Sequence, residues 1–205
     1  MCEDNISLKD YESFVTVRDG KRHYYGGNQQ WFNSGINRKS GCGAVVAANI
    51  TALIAKEKEL HNLYKYKDYS RTNFLQHMNE VIKYVIPKEN VGILQPKIFA
   101  ADVVSFALSR GVLLKESIKY FEEGYNSISG FIKKSLKENK PIALLMLRNE
   151  RLKEFDWHWM TITKYYKNDF NTYVNVSTWG ERRILKLDEV FKYSSYGAVI
   201  NFTIS

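Results

Sequence analysis

The stretch SGCGAVVAANITALIA, Ser40 to Ala55, places one of the chain's two cysteines between two glycines, directly ahead of a run apolar enough to be a buried helix. A thiol at Cys42 would sit in the first turn of that helix. Backbone N–H groups there lack partners and the helix dipole is positive, and both favour thiolate over thiol. Gly41 and Gly43 would leave room beside the sulfur for a substrate backbone. Two readings stand side by side at this point, a nucleophile and a small core residue, because free cysteine is among the most buried residue types.

A thiol nucleophile needs a base, and the base must be held in place. Of the four histidines, His158 opens a predicted strand between Trp157 and Trp159, which would shield it from water. His61 and His77 lie in polar helical segments and are expected to face solvent, and His23 lies in a hairpin. In YVNVSTWG, Asn175 and Ser177 are two apart, so both project from one face of a strand and either can orient the imidazole. An acyl-transfer site also needs donors for an oxyanion. The Cys42 N–H is one, and the side-chain amide of Gln29 or Gln30 in NQQW would be another. All four tryptophans, Trp31, Trp157, Trp159 and Trp179, lie next to these groups and none lies in the helices between, so they are expected to line a substrate site.

The elements that must carry these residues follow from the pattern. SFVTVRDGKRHYYGG alternates around Asp19-Gly20 as a hairpin does, and a Gly/Asn/Ser-rich loop follows it. A helix is predicted from about Gly43 to Glu59, with Ser40 ahead of it as a cap. Phe74, Leu75, Met78, Val81, Ile82 and Val85 recur at helical spacing up to Pro87. A third helix is predicted after Pro96 and ends at Gly111, and a fourth runs through SISGFIKKSLKEN. From Pro141 the period changes. PIALLMLRN, WHWMTITKYY, TYVNVSTWG, RRILKL and YGAVINFTI read as strands with short polar turns, hence an antiparallel sheet. The fold class is α+β, one domain over 1–205, with a loop and helical lobe at about 24–140 packed on a sheet lobe at 141–205.

Composition narrows the function classes. Hydrophobic residues at 44% and charged residues at 25% exclude general disorder. The apolar runs Ala44–Ala55 and Ile142–Leu147 are too short for the roughly 18–20 residues of a membrane span. The acidic, polar start MCEDNISLKDYE has no secretory character, so a cytoplasmic location is expected. Two cysteines make no disulfide framework, and the histidines show no metal-ligand spacing, so neither a metal nor another cofactor is expected. The net charge of +8 would suit nucleic acid, but the lysines are dispersed among acidic neighbours, so no nucleic-acid partner is expected.

In order along the chain, glutamine, Gly-Cys-Gly opening a long helix, histidine on a strand, and a polar residue shortly before Trp-Gly resemble a papain-like cysteine peptidase. STWG is similar to the stretch that carries the orienting asparagine in that family, with Ser177 at the asparagine position. The segments NQQWF, GCGAVVAANI, FIKKSLKENKPIALLML, HWMTITKY, YVNVS and LDEVF resemble more closely the bacterial branch that includes bacteriocin-leader peptidases, over about residues 24–204. The resemblance implies a papain-like fold and a thiol hydrolase acting on a peptide or protein substrate. Alternatives are an acyltransferase or amidase on the same groups, and a catalytically silent module that binds a peptide or partner protein. A further alternative uses Cys2 as an N-terminal nucleophile after loss of Met1, against the pull of Glu3 and Asp4 on its pKa.

Overall fold

The computed structural model describes residues 5–88 and 92–205, so Cys2 lies outside the described residues. The chain begins with strand β1 (Asn5–Ser7), the hairpin β2 (Thr16–Asp19) and β3 (Arg22–Tyr25), and a short helix α1 (Gly35–Ser40). Helices α2 (Cys42–Lys58), α3 (Arg71–Val81) and α4 (Pro96–Ser109) follow, then strand β4 (Leu114–Tyr120) and helix α5 (Tyr125–Lys137). The remainder is β5 (Ile142–Asn149), β6 (His158–Lys167), β7 (Thr172–Thr178), β8 (Glu181–Lys186), helix α6 (Leu187–Tyr193) and β9 (Ser194–Ile204). The class is α+β with a mainly antiparallel sheet.

Helix α2 is the centre of the molecule. Every residue from Cys42 to Ala55 is buried, as an element apolar on all sides requires. It packs against β5, β6, α3 and α4. Its C-terminus is closed by Glu59 in the left-handed region, whose N–H reaches the Ala55 carbonyl, with Lys56 and Lys58 in the last turn to complement the dipole. Its N-terminus differs from expectation. Ser40 ends α1 instead of capping α2, Gly41 is the N-cap, and no side chain caps that end.

The large sheet runs β4-β9-β5-β6-β7-β8, and every pairing in it is antiparallel. Strand β1 adds to β6 at Lys164 to Tyr166, on the side opposite β7 and in line with β5. Strand β5 is a continuous apolar run because helices cover both faces, α2 on one and α5 and α6 on the other. The sheet thus draws β1 and β4 from outside residues 141–205. Lys115 to Ser117 of β4 are exposed, and an edge strand of that kind carries little periodic signal. No helix among the described residues is long and apolar enough to cross a membrane.

His77 corrects a second expectation. It is 1% exposed, with the rings of Tyr64, Phe74 and Phe106 around it. Its Nε2 lies 2.9 Å from Thr51 Oγ1, whose own hydrogen goes to the Ala47 carbonyl at 2.8 Å. Nε2–H is therefore the donor, and Nδ1 has no hydrogen-bond partner among the described residues. Burial holds its pKa down to about 3.

Candidate active site

Cys42 occupies the first position of α2 and His158 the first of β6. Gln29, Cys42, His158, Thr178 and Trp179 border one small recess. Gln29, Cys42, His158 and Trp179 also border a larger open cleft of about 620 Å³, together with Lys39, Ser40, Gly92, Glu154, Asp156 and Trp157. The thiol and the imidazole are both nearly enclosed, each residue being 7% exposed.

The loop that brings Gln29 to this place is tied at several points. Asn49, buried inside α2, accepts from Gly27 N–H at 2.9 Å and extends its amide toward Ser177 Oγ at 3.3 Å. Gly26 has φ +83°, and a Cβ there would stand 2.5 Å from Ser177 Oγ, so only glycine lets the loop pass. Asn28 Nδ2 donates to the Trp179 carbonyl at 2.7 Å, linking the glutamine loop to the turn after β7. Gln29 is buried in the site, with Nε2 donating to the Arg38 carbonyl at 2.8 Å and leaning toward that of Lys39 at 3.4 Å. Gln30 is exposed, does not border the cleft, and bonds Arg38 from outside at 3.3 Å. Of the two glutamines, Gln29 is the one beside the thiol.

The side chain in contact with the imidazole is neither of those expected to orient it. Thr178 Oγ1 lies 2.7 Å from His158 Nε2. Strand alternation puts Asn175 and Ser177 on one face of β7 and Thr178 on the other. Ser177 Oγ donates to the Tyr25 carbonyl at 2.6 Å, and Asn175 Nδ2 donates to Tyr11 Oη at 2.6 Å. Both side chains are thus spent on the N-terminal segment and do not reach the imidazole. The neighbouring tryptophans also exchange roles. Trp159 points into the core, stacked on Phe99 at 4.1 Å with Nε1–H on the Ile93 carbonyl, and Trp157 is 43% exposed. Trp179 is the ring that covers His158, at 4.7 Å and 27°, and Phe155 backs it at 5.5 Å. Trp31 packs on Tyr24 and Arg71, away from the cleft.

Gly41 serves packing: a Cβ there would run into the Asn37 carbonyl oxygen, so glycine lets α2 turn tightly out of α1. A Cβ on Gly43 would make only an ordinary contact with Trp159, at 3.4 Å. Thr178, Phe155 and Asp156 are the site residues that the sequence pattern missed. The parity of β7 relative to His158 would have found Thr178, but that register is set by pairing with β6 and not by composition.

Burial corrects the charge expected on the thiol. It pushes the Cys42 pKa up, against the backbone N–H groups of Trp159, Gly43 and Cys42 itself, which act the other way. Burial also pushes His158 down to about 4. Burial thus works against charge on either group taken alone. Among the described residues, no three His, Cys, Asp or Glu side chains converge where a metal ion could be held. No protein-family model matches the chain, and no curated protein matches it.

Proposed function

We propose that the protein is a papain-like thiol hydrolase that cleaves a peptide or amide bond with Cys42 and His158. The observation that carries this reading is the shared boundary of one cleft by a thiol at a helix N-terminus, a covered imidazole held at 2.7 Å by Thr178, and the Gln29 amide. With His158 Nε2–H donating to Thr178, Nδ1 is left as the acceptor for the thiol proton. As the carbonyl carbon arrives, Sγ–C forms, the proton moves to Nδ1, and the carbonyl electron pair moves onto oxygen. The Cys42 N–H is one donor for that oxyanion, and the Gln29 amide becomes the other by giving up its longer, 3.4 Å bond to the Lys39 carbonyl. Collapse breaks C–N, the imidazolium returns its proton to the leaving amine, and a thioester remains. Water then attacks that thioester with His158 again as base, releasing the acid and restoring the thiol.

The same groups would serve an acyltransferase or amidase, since they fix the reaction type and not the substrate. A catalytically silent peptide-binding module is the second reading, and the burial of both groups favours it, because a raised thiol pKa and a lowered imidazole pKa both oppose a standing thiolate. The two separate in one experiment, in which the protein and its Cys42→Ala and His158→Ala variants are incubated with a complex peptide mixture and new termini are read by mass spectrometry. Hydrolysis predicts termini that vanish in both variants. Unchanged peptides that are still retained by all three forms would favour the silent module.

A further inference from the structure

Tryptophan is the largest apolar side chain, yet Trp157 stands 43% exposed at the rim of the cleft, immediately before His158. Its backbone is in the left-handed region, φ +55°, which a bulky residue adopts only under constraint. Arg148, whose guanidinium lies 5.7 Å from the Trp157 ring, is also there at φ +53°. The constraint comes from two buried or half-buried polar residues. Asp156 Oδ1 accepts from Trp157 N–H at 2.9 Å and from Asn149 N–H at 3.0 Å. Asn149, wholly buried, accepts from Arg151 and Leu152 N–H and donates to the Glu189 carbonyl and Ser194 Oγ. The loop between β5 and β6 is thus anchored to α6 and β9, and its strained end presents an indole to the cleft.

We propose that Trp157 is the specificity-determining surface of the site, stacking an aromatic or large apolar side chain of the substrate next to the scissile bond, and that Asp156 is the residue that positions it. This rests on the hydrolase reading above. The charges near the ring do not favour a cationic side chain instead. Lys39 lines the same cleft as Glu154 and Asp156, Arg148 lies over the ring, and Glu154 also has Arg183 at 3.6 Å. A partner that covers apolar area is what remains, and an exposed indole offers enough of it to matter.

The test uses the full chain and small electrophiles, so that no natural substrate is needed. N-phenethyl-, N-methyl- and N-(2-aminoethyl)-chloroacetamide are compared for their rate of alkylating Cys42 by intact mass, each divided by its rate with glutathione. The phenethyl probe is expected to exceed the methyl probe by roughly tenfold or more. Trp157→Ala should bring that ratio below about threefold, and Trp157→Phe should keep part of it. Asp156→Ala should lower the ratio, whereas Asp156→Asn, which keeps a carbonyl acceptor, should hold it. A phenethyl/methyl ratio near one in the unmodified protein, a ratio unmoved by Trp157→Ala, or a preference for the aminoethyl probe overturns the proposal. Failure of the hydrolase reading looks different: the methyl probe itself would then label Cys42 no faster in the native protein than in the His158→Ala variant.

Discussion

Lowering the pH from 7.5 to 5.0 should remove about 4 kcal/mol of folding stability, and two histidines account for it. His77 is held down to about 3 and His158 to about 4, both from an ordinary 6.5, and burial is the first cause in each case. Between those values and 6.5 the unfolded chain binds more protons than the folded one. Stability is therefore complete above 6.5 and is lost as the pH falls toward the folded values. At pH 5.0 the linkage relation gives about 2 kcal/mol for each histidine. The physical origin is plainest at His77. A proton would add at Nδ1, inside a cage of Tyr64, Phe74 and Phe106, where the cost of burying the charge outweighs the pull of the Glu80 carboxylate, itself opposed by Arg110 and Lys65. Urea unfolding at the two pH values, on the protein and on His77→Leu, measures the effect. The variant starts from lower stability because its bond to Thr51 is gone, but its loss between the two pH values should be about half that of the parent. An equal pH-dependent loss in both would refute the assignment of buried neutral imidazole at position 77.

Two further outcomes are expected. Thr178→Val keeps the shape and removes the 2.7 Å bond to His158 Nε2, so alkylation of Cys42 at neutral pH should slow by roughly 10- to 100-fold while Thr178→Ser stays near the parent rate. Gly26→Ala forces a Cβ to within 2.5 Å of Ser177 Oγ at φ +83°; it should cost roughly 1–3 kcal/mol in chemical unfolding and displace the loop that carries Gln29.

Much of this architecture is legible in the sequence because local signals and global packing agree. Helix α2 could be read from an apolar run with no polar face, and α4 from Pro96 and Gly111 at its ends. The central strands stand out because helices cover both faces of β5, which leaves a continuous run of apolar residues. What escaped is what depends on partners distant in the chain. Strand β4 is an edge strand with an exposed stretch, and β1 is three residues that exist only by pairing with β6. His77 sits among polar neighbours in sequence but turns inward with Phe74, Met78 and Val81. Cys42 and His158 were visible as residue types at suggestive positions, and the structure brings them to one cleft. The partner of the imidazole was not, because Asn175, Ser177 and Thr178 are equally plausible on composition and only the β6–β7 register decides which side of the strand faces His158.

The most direct test of the central claim is the pH profile of iodoacetamide alkylation at Cys42, followed by intact mass with Cys2 replaced by serine. A buried thiol served by a base that is neutral above about 4 should react at nearly constant rate from pH 5.5 to 8, because the acceptor is available throughout. His158→Ala should lower the rate at pH 6 by roughly 100-fold or more and leave only a rise with thiol ionisation at alkaline pH. A profile that climbs only above the ordinary thiol range of about 8.5, identical with and without His158, would contradict a Cys42–His158 pair.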